Sequence, residues 1–494
     1  MDKAFLQLML ASGVLLLISV FASKTSTRYG IPVLLIFIVV GMLSGVEGPG
    51  GIHFDKPVLT HILGTISLMF ILFSGGLSTQ LQMVSPVWKE GTILALFGVM
   101  ISTAVMALLI HLALGWDWVS SALLSATCSS TDASAVFGIL KTQKLQLRSR
   151  IQSLLELESG SNDPTAVFLT LSLIQIILRP ENFTWGEVLM NFFIQMSLGG
   201  LAGWFLGKGL VLLINWLDLE FEGLYPVLTI AGVICIYSLI EFCGGNGFLS
   251  VYIAGLAMSD EKYFSKKTLT VFHDGLAWLM QVIMFLMLGL LVIPSAIGPI
   301  MGTGVFLSLC LLFIARPLSV YLCLVRFKYS INEMMFVSWG GLRGAIPIIL
   351  ATYLLVNKVP GSKTMFNLIF FIVILLMLIQ GTSLGHMAKW LKVQEPYRPQ
   401  RRLPFKSRHH GKDFVEFEVR EGSPLLGKNI LELNFPMQVL VVLIHRGDED
   451  FMPDGNTDIE LYDRLVCLVD TDAIPELEKI IQCRKEEFQG KKEW

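Results

Sequence analysis

The sequence predicts an all-α polytopic membrane protein followed by a small cytosolic α+β domain. Of its 494 residues, 53% are hydrophobic and only 15% are charged, whereas soluble domains are about one quarter charged. Apolar runs long enough to cross a bilayer, about 20 residues each, continue to about residue 393. The net charge of -2 excludes a strongly basic nucleic-acid binder. The scattered cysteines contain no CxxC pair and predict neither a disulfide framework nor a zinc site.

The apolar runs predict thirteen transmembrane helices arranged with the N-terminus outside the cell and the C-terminus in the cytoplasm. Lysine and arginine favour this orientation because they concentrate in alternate loops, most densely at 141–150. The first run also resembles a signal peptide, since Val20-Phe21-Ala22 has the pattern of a cleavage site. The predicted spans are 4–23, 31–47, 60–78, 90–115, 119–140, 152–178, 186–215, 224–242, 246–259, 272–295, 300–325, 332–356 and 364–390.

The composition changes after the last span and predicts three domains along the chain. Residues 1–393 form the transmembrane domain, 394–412 a basic linker suited to anionic lipid head groups, and 413–494 a small soluble domain. The segments FVEFEV, VLVVLIHR and DRLVCLVD have strand patterns, and IPELEKIIQ has helical spacing. A domain of this size gains stability from dimerisation.

Four ionisable residues fall near the midpoints of their spans: Asp132, Glu158, Asp163 and Arg343. A charge at the bilayer centre costs roughly 2.5–3.5 kcal/mol on insertion scales, so such residues are functional candidates. Polar groups that only join helices would favour neutral pairs, which these are not. The sequence therefore predicts a polar cluster at the middle of the membrane.

The fifth and twelfth spans are predicted to be unwound at their centres. Hydroxyl side chains surround Asp132 at 127–134, and glycines with a proline surround Arg343 at 340–347. Interrupted helices in corresponding places of two repeats are typical of transporter sites. Spans one to six and eight to thirteen would then be inverted repeats in which the two interrupted helices correspond.

The sixth span supplies a set of oxygen atoms suited to an alkali cation. Ser159 and Asp163 lie four residues apart on one helix face. Pro164 has no amide hydrogen, which leaves the Gly160 carbonyl without its helical donor. Thr131 and the free carbonyls of the unwound fifth span would complete the set.

The remaining polar residues of the cluster have predicted roles as well. Arg343 needs a carboxylate partner, and we assign Glu158 to it as a structural ion pair. Asp163 is then free to titrate beside the neutral Asn162. Asp132 is the candidate for any second transported charge.

These motifs resemble the NhaP-type monovalent cation/proton antiporters. The resemblance covers most of residues 1–390 and implies a thirteen-helix inverted-repeat fold, usually a homodimer. It implies that Asp163 alternates between cation and proton, that Thr131 and Ser159 are ligands, and that Glu158 pairs with Arg343. The motifs are Thr131-Asp132-Ala133, Glu158-Ser159, Asn162-Asp163-Pro164 and Gly341-Leu342-Arg343-Gly344. Ser74 departs from the family pattern, because many relatives carry an acidic residue there.

The tail resembles the RCK-C (TrkA-C) regulatory domain, a combination similar to potassium/proton antiporters of the cell-volume-regulation type. This resemblance favours K⁺ over Na⁺, although the ligand set suits either ion. By family analogy, a small regulatory nucleotide such as cyclic di-AMP would bind the tail near Ile444, His445 and Arg446. The expected protein is a transporter of the inner cell membrane, without enzymatic activity and without a cofactor other than its transported ions.

Two other classes of membrane protein remain as alternatives. A potassium channel with a cytosolic RCK ring would need a carbonyl filter such as TVGYG, and the nearest run is Gly244-Gly245-Asn246-Gly247. An intramembrane aspartyl protease would use Asp132 and Asp163, but Arg343 would then have no evident role.

Overall fold

The computed structural model describes residues 3–29, 32–54, 56–143, 145–182, 184–344 and 346–395, and, in the tail, 412–419, 423, 425–433, 435, 439–446 and 449–470. The chain divides into two compact units, 1–397 and 398–494. Each unit is described by itself.

Thirteen helical segments run through the described part of the first unit, one at each predicted span. Eight have the length and apolar composition of a membrane-crossing helix, and shorter apolar helices occur in four of the others. The polytopic all-α prediction is therefore confirmed. The segments are α1 Lys3–Tyr29, α2 Val33–Ser44, α3 Pro57–Ser78, α4 Leu81–Leu114, α5a Trp118–Thr127 with α5b Ala133–Thr142, α6 Ser149–Leu178, α7 Trp185–Leu217, α8 Leu224–Phe242, α9 Gly247–Ser259, α10 Lys266–Leu291, α11 Pro294–Leu324, α12a Ile331–Trp339 with α12b Ile346–Val356, and α13 Ser362–Trp390.

The helices pack as two bundles. Helices α1–α3 and α8–α10 form one, which we call the supporting bundle, and α4–α6 and α11–α13 form the other, the site bundle. Each predicted repeat thus gives its first three helices to the supporting bundle and its last three to the site bundle. Helix α7 connects the repeats and packs along α9.

The fourth and eleventh segments share an irregularity that matches their places in the two repeats. Each contains a five-residue π-helical turn, Leu94–Gly98 in α4 and Leu311–Ala315 in α11. Such turns are rare and are frequently found at functional sites. The π turn of α11 ends immediately before Arg316, which proves to be a member of the site.

Helix α9 is held in the supporting bundle by direct backbone contact on two sides. On α7, Gly199, Gly203 and Gly207 recur every four residues and meet α9 so closely that an added Cβ would lie 2.5–2.7 Å from its backbone. On the other side, an added Cβ at Gly255 would lie 2.4 Å from the carbonyl oxygen of Phe73 in α3. Glycine is needed at these positions because any larger residue would separate the helices.

The described part of the tail contains the strands β3 Lys412–Glu418, β4 Val439–Arg446, β5 Glu449–Phe451 and β6 Arg464–Asp470. They form a four-stranded antiparallel sheet in the order β3-β6-β4-β5. All three predicted strands are present. The predicted helix IPELEKIIQ, at 474–482, and the linker at 396–411 lie outside the described residues.

A second, two-stranded sheet joins two distant parts of the membrane unit. Strand β1, Gln146–Leu147, lies in the loop between α5b and α6, and strand β2, Gln394–Glu395, follows α13. The strands are antiparallel, with Gln146 opposite Glu395 and Leu147 opposite Gln394. The chain that leaves the last helix is thereby attached to the connection between the two helices that carry the site.

Candidate ion-binding site

The fifth and twelfth segments are interrupted, as predicted, and cross at their interruptions. Helix α5a ends at Thr127 and α12a at Trp339. The backbone amide of Asp132 donates a hydrogen bond of 2.7 Å to the carbonyl oxygen of Leu342. Gly344 allows this crossing, because a Cβ there would lie 2.6 Å from the Cβ of Asp132.

Helix α6 fixes the unwound part of α5 through polar side chains. The Ser159 hydroxyl donates to the Thr131 carbonyl oxygen at 2.9 Å and accepts from the Ala133 amide at 2.9 Å. The Asn162 amide nitrogen donates to the Thr131 hydroxyl at 2.6 Å. Backbone groups that lose their helical partners are satisfied here by side chains, which is a requirement inside a membrane.

Asp163 lies beside this network with its side chain 3% exposed. Its carboxylate accepts a hydrogen bond from the hydroxyl of Ser130, itself in the unwound segment. A hydroxyl can donate to a charged carboxylate or accept from a protonated one. Ser130 can therefore remain bonded to Asp163 in both of its charge states.

Two further predicted residues lie near Asp163. Asp132 is partly buried, and its carboxylate accepts from the Ala135 amide at 3.3 Å, at the start of α5b. Gly160 is covered by the ring of Tyr252 from α9, since a Cβ at Gly160 would lie 2.2 Å from that ring. The site residues predicted in α5 and α6 thus come together at one place.

The predicted ion pair between Glu158 and Arg343 is not the one that forms. Glu158 pairs with Arg316, whose Nη2 lies 2.5 Å from Glu158 Oε1 without the alignment of a hydrogen bond. Arg343 instead donates to the carbonyl oxygens of Ser129 and Ser130, the latter at 2.7 Å. The reason is local: Arg343 lies in an unwound segment that faces the free carbonyls of the other unwound segment, and these accept its protons.

Arg316 lies within α11 with its side chain 4% exposed. It packs against the unwound part of α12, where a Cβ at Gly341 would lie 2.6 Å from its Nε. The signal in the sequence was a charged residue within an apolar run, the same signal that identified Arg343. Ser130 was also missed as a partner of Asp163, because five neighbouring hydroxyls could not be ranked from the sequence.

The described site contains three carboxylates and two guanidinium groups. Asp132, Glu158 and Asp163 are opposed by Arg316 and Arg343, so the fully ionised cluster has one negative charge in excess. Burial makes an uncompensated charge costly. One monovalent cation or one proton, but not both, would make the cluster neutral.

In the tail, two of the three predicted ligand contacts are engaged within the domain itself. Ile444 is fully buried in the hydrophobic core. The Arg446 guanidinium binds both carboxylate oxygens of the buried Asp463, at 2.9 and 2.7 Å, and also binds Glu460. The hydrogen bonds that Arg446 donates to the Asp463 carboxylate raise the pKa of Arg446 above its ordinary value. A ligand at Arg446 would have to replace an established partner.

Comparisons with known proteins agree with this architecture. The profile of the sodium/hydrogen exchanger transmembrane family matches residues 13–390, and that of the TrkA-C domain matches residues 414–482. The K(+)/H(+) antiporter NhaP of Alkalimonas amylolytica is 36% identical over 96% of this chain and 83% of its own length. The K(+)/H(+) antiporter NhaP2 of Shewanella sp. (strain ANA-3) is 37% identical over 93% of this chain and 80% of its own length.

The fold is similar to that of a solved antiporter. Two structures of the sodium proton antiporter MjNhaP1 from Methanocaldococcus jannaschii match with TM-scores of 0.66 and 0.67, both at 22% sequence identity. They cover 76% and 80% of this chain, and 99% and 100% of the MjNhaP1 chains.

The membrane fold and the buried cluster at crossed, interrupted helices define a secondary transporter of monovalent cations. The chain belongs to the sodium/hydrogen exchanger family and carries a TrkA-C domain. It is a cation/proton antiporter, and this decides against the channel and the protease.

The ion pair that the structure contains can be tested by double-mutant cycles. Arg316→Met leaves Glu158 buried without its partner, so we expect a loss of about 3–5 kcal/mol of stability. Adding Glu158→Gln should recover much of that loss. The measurement is thermal unfolding of the purified protein in detergent. The matched cycle of Arg343→Met with Glu158→Gln should show weaker coupling, because Arg343 binds the carbonyl oxygens of Ser129 and Ser130. Coupling stronger than that of the Arg316 cycle would restore the original assignment.

Proposed function

We propose that the protein exchanges one K⁺ for one H⁺ across the cell membrane, with Asp163 as the group that holds either ion. The observation that carries this proposal is the single negative charge in excess when the partly buried Asp132 is counted with the four buried ionisable groups of the site. Because one cation or one proton neutralises that charge, the two ions compete for the same place. Na⁺ remains a possible substrate of the same site.

The transported cation would be held by oxygen atoms already next to Asp163. We assign Asp163, Ser159 and Thr131 as cation ligands, and the carbonyl oxygen of Gly160 as a further candidate ligand. Ser159 and Thr131 are now bonded to each other, at 2.9 Å between Ser159 Oγ and the Thr131 carbonyl. An entering cation would take up these oxygens, while the Asn162–Thr131 bond keeps the unwound segment attached to α6.

Proton binding follows from the burial of Asp163. Transfer of a carboxylate from water to a low-dielectric site favours its neutral form unless a cation is present. Ser130 can remain bonded to Asp163 in either case. The site can then cross the membrane neutral, loaded with either ion.

The preference for K⁺ rests on the relatives. Those reported above at 36% and 37% identity are named K(+)/H(+) antiporters. Potassium and sodium ions carry the same charge, and the oxygens at the site suit both. The radius of the loaded site, rather than its donor set, would decide between them.

We further propose that the protein is a homodimer in the cell membrane, with the N-terminus outside and the tail in the cytoplasm. The density of basic residues in alternate loops supports this orientation. The tail is assigned a regulatory role, with a small nucleotide as the candidate ligand. Strands β1 and β2 support this role, because they attach the chain that leads into the tail to the loop between α5b and α6. Val393, the residue before β2, adds to this attachment, since its carbonyl oxygen accepts from the Arg148 amide at 3.1 Å.

Asp163→Asn should abolish exchange while the protein still folds and inserts. The amide can neither bind a proton reversibly nor offer a charge to the cation. Proton movement driven by K⁺ gradients in proteoliposomes is the measurement. Asp260→Asn, the same change at an exposed position beyond α9, is the matched control and should exchange normally. Wild-type exchange should fall at low pH, where protons occupy the site, and appreciable exchange by Asp163→Asn would refute the assignment.

Exchange should respond little to membrane potential. A neutral loaded site moves no net charge, whereas transport of one net charge would be worth about 2.3 kcal/mol per 100 mV. Exchange rates are to be compared in proteoliposomes whose membrane potential is clamped at zero or at about -100 mV by an ionophore system that does not carry K⁺. Strong voltage dependence would require a second transported charge, and Asp132→Asn would then be the variant that removes it.

Truncation after Arg408 should leave basal exchange intact but alter its response to pH or to added nucleotide. The full-length variant Gln394→Pro should have a similar effect, because proline in β2 removes a backbone donor next to β1. Fluxes driven by K⁺ and by Na⁺ are to be compared for all three proteins across pH. Identical profiles would remove the regulatory role, and a response to Na⁺ alone would overturn the K⁺ assignment.

A further inference from the structure

The two bundles meet tightly at one end of α3 and are open at the other. Near its beginning, His61 Nδ1 lies 3.2 Å from the Thr352 hydroxyl, and a Cβ at Gly64 would lie 3.3 Å from Ile349, both in α12b. Near its end, Gly75 has no atom within 4 Å of an added Cβ, and Ser78 is exposed. These positions recur at helical spacing on the face of α3 toward the site bundle.

The open end lies on the side of the membrane at which the last helix ends. Helices α3 and α13 run in the same direction, since both are odd members of the series. We call this side the C-terminal face and the other the opposite face. Along α3 the described structure is therefore packed at the opposite face and open at the C-terminal face, although α2 and α13 meet toward the C-terminal face, where a Cβ at Gly381 would lie 2.3 Å from Pro32 Cγ.

A hydrogen bond joins the helix of Asp163 to the supporting bundle close to the site. The Asn246 side chain is 3% exposed, and its amide nitrogen donates to the carbonyl oxygen of Pro164 at 3.2 Å. Pro164 follows Asp163 directly in α6. Any displacement of α6 along the supporting bundle must change this bond.

Asn246 is itself held firmly by the supporting bundle and α7. Its side-chain oxygen accepts from the Leu249 amide at 3.0 Å and so caps the beginning of α9. Its backbone amide donates to the carbonyl oxygen of Gln195 in α7 at 3.2 Å. A Cβ at Gly199 would lie 2.7 Å from the Asn246 carbonyl oxygen. The cap also fixes which end of the amide faces Pro164.

We propose that Asn246 is a positioning residue that stabilises the arrangement open to the C-terminal face by holding α6 through Pro164. It does not touch the transported ion. This role rests on the proposed exchange function, because alternating access in transporters moves one bundle against the other around the site. A hydrogen bond present in one arrangement and absent in the other biases their populations by about 2- to 10-fold.

The two faces should respond in opposite directions when the bond is removed. Apparent affinity at each face is the intrinsic affinity multiplied by the fraction of molecules open to that face. Asn246→Ser keeps an N-cap oxygen but cannot reach Pro164. We expect the apparent KM for K⁺ to fall by about 2- to 10-fold at the opposite face and to rise, by less, at the C-terminal face.

The experiment compares right-side-out and inverted membrane vesicles that contain wild type, Asn246→Ser, Asn246→Ala or Thr184→Ala. Thr184 caps α7 through the Glu187 amide at 3.4 Å, so its variant measures the loss of a helix cap elsewhere. We expect opposite shifts for both Asn246 variants and none for Thr184→Ala. Hydrogen–deuterium exchange should increase at 57–65 and 346–356, where the bundles separate.

Several outcomes would overturn the proposal. KM shifts of the same sign at both faces, or effects confined to Asn246→Ala, would reduce Asn246 to the cap of α9. Failure of the Asn246→Ser protein to fold would likewise show that Asn246 serves only to stabilise α9. A wild type without cation-driven proton movement would instead refute the exchange function, and the hydrogen–deuterium comparison would still test the bond to Pro164.

Discussion

Neutralisation of buried charge is the constraint on which the rest of this structure depends. Three carboxylates and two guanidinium groups lie where a bilayer disfavours each of them. Glu158 and Arg316 compensate each other directly, whereas Arg343 is solvated by carbonyl oxygens that exist because α5 is unwound. The interruption of that helix thus supplies the arginine with acceptors and supplies Asp163 with the Ser130 hydroxyl. The interrupted helix and the buried charges therefore depend on each other. The charges need the free backbone and hydroxyl groups of the interruption, and the interruption needs the charged side chains as hydrogen-bond partners.

The same constraint explains why the membrane fold could be read from the sequence and the charge pairing could not. Apolar runs identify spans because the bilayer demands them, and all thirteen predicted spans coincide with helical segments. The hydroxyls around Asp132 and the glycines around Arg343 correctly indicated where helices end. The partner of Glu158, however, depends on which side of each helix faces the cluster. Arg316 follows a π-helical turn that shifts the helix phase, and no periodicity argument detects such a turn.

The packing of α9 suggests how the two bundles move in this antiporter: each as an intact unit relative to the other. The glycines of α7 and Gly255 bring α9 into backbone contact on two sides, so α9 moves only with the supporting bundle. Its contacts with α6 are made by side chains instead, among them the ring of Tyr252 over Gly160 and the hydrogen bond from Asn246 to the Pro164 carbonyl. Backbone contacts within a bundle and side-chain contacts between bundles suit relative motion of intact units.

The regulation that we propose for the tail would use the same division. A signal from the tail has to reach α5b and α6, because these helices hold the ion, and strand β2 already binds the loop that joins them. A pull on β2 would act on the two site helices at their shared connection, whereas the Asn246 bond resists displacement of α6 on the far side of Asp163. The free energy needed to change the exposure of the site would then include the hydrogen bonds between the bundles. Under that proposal, binding of one small ligand in the tail would supply a coupling energy comparable to that of a hydrogen bond.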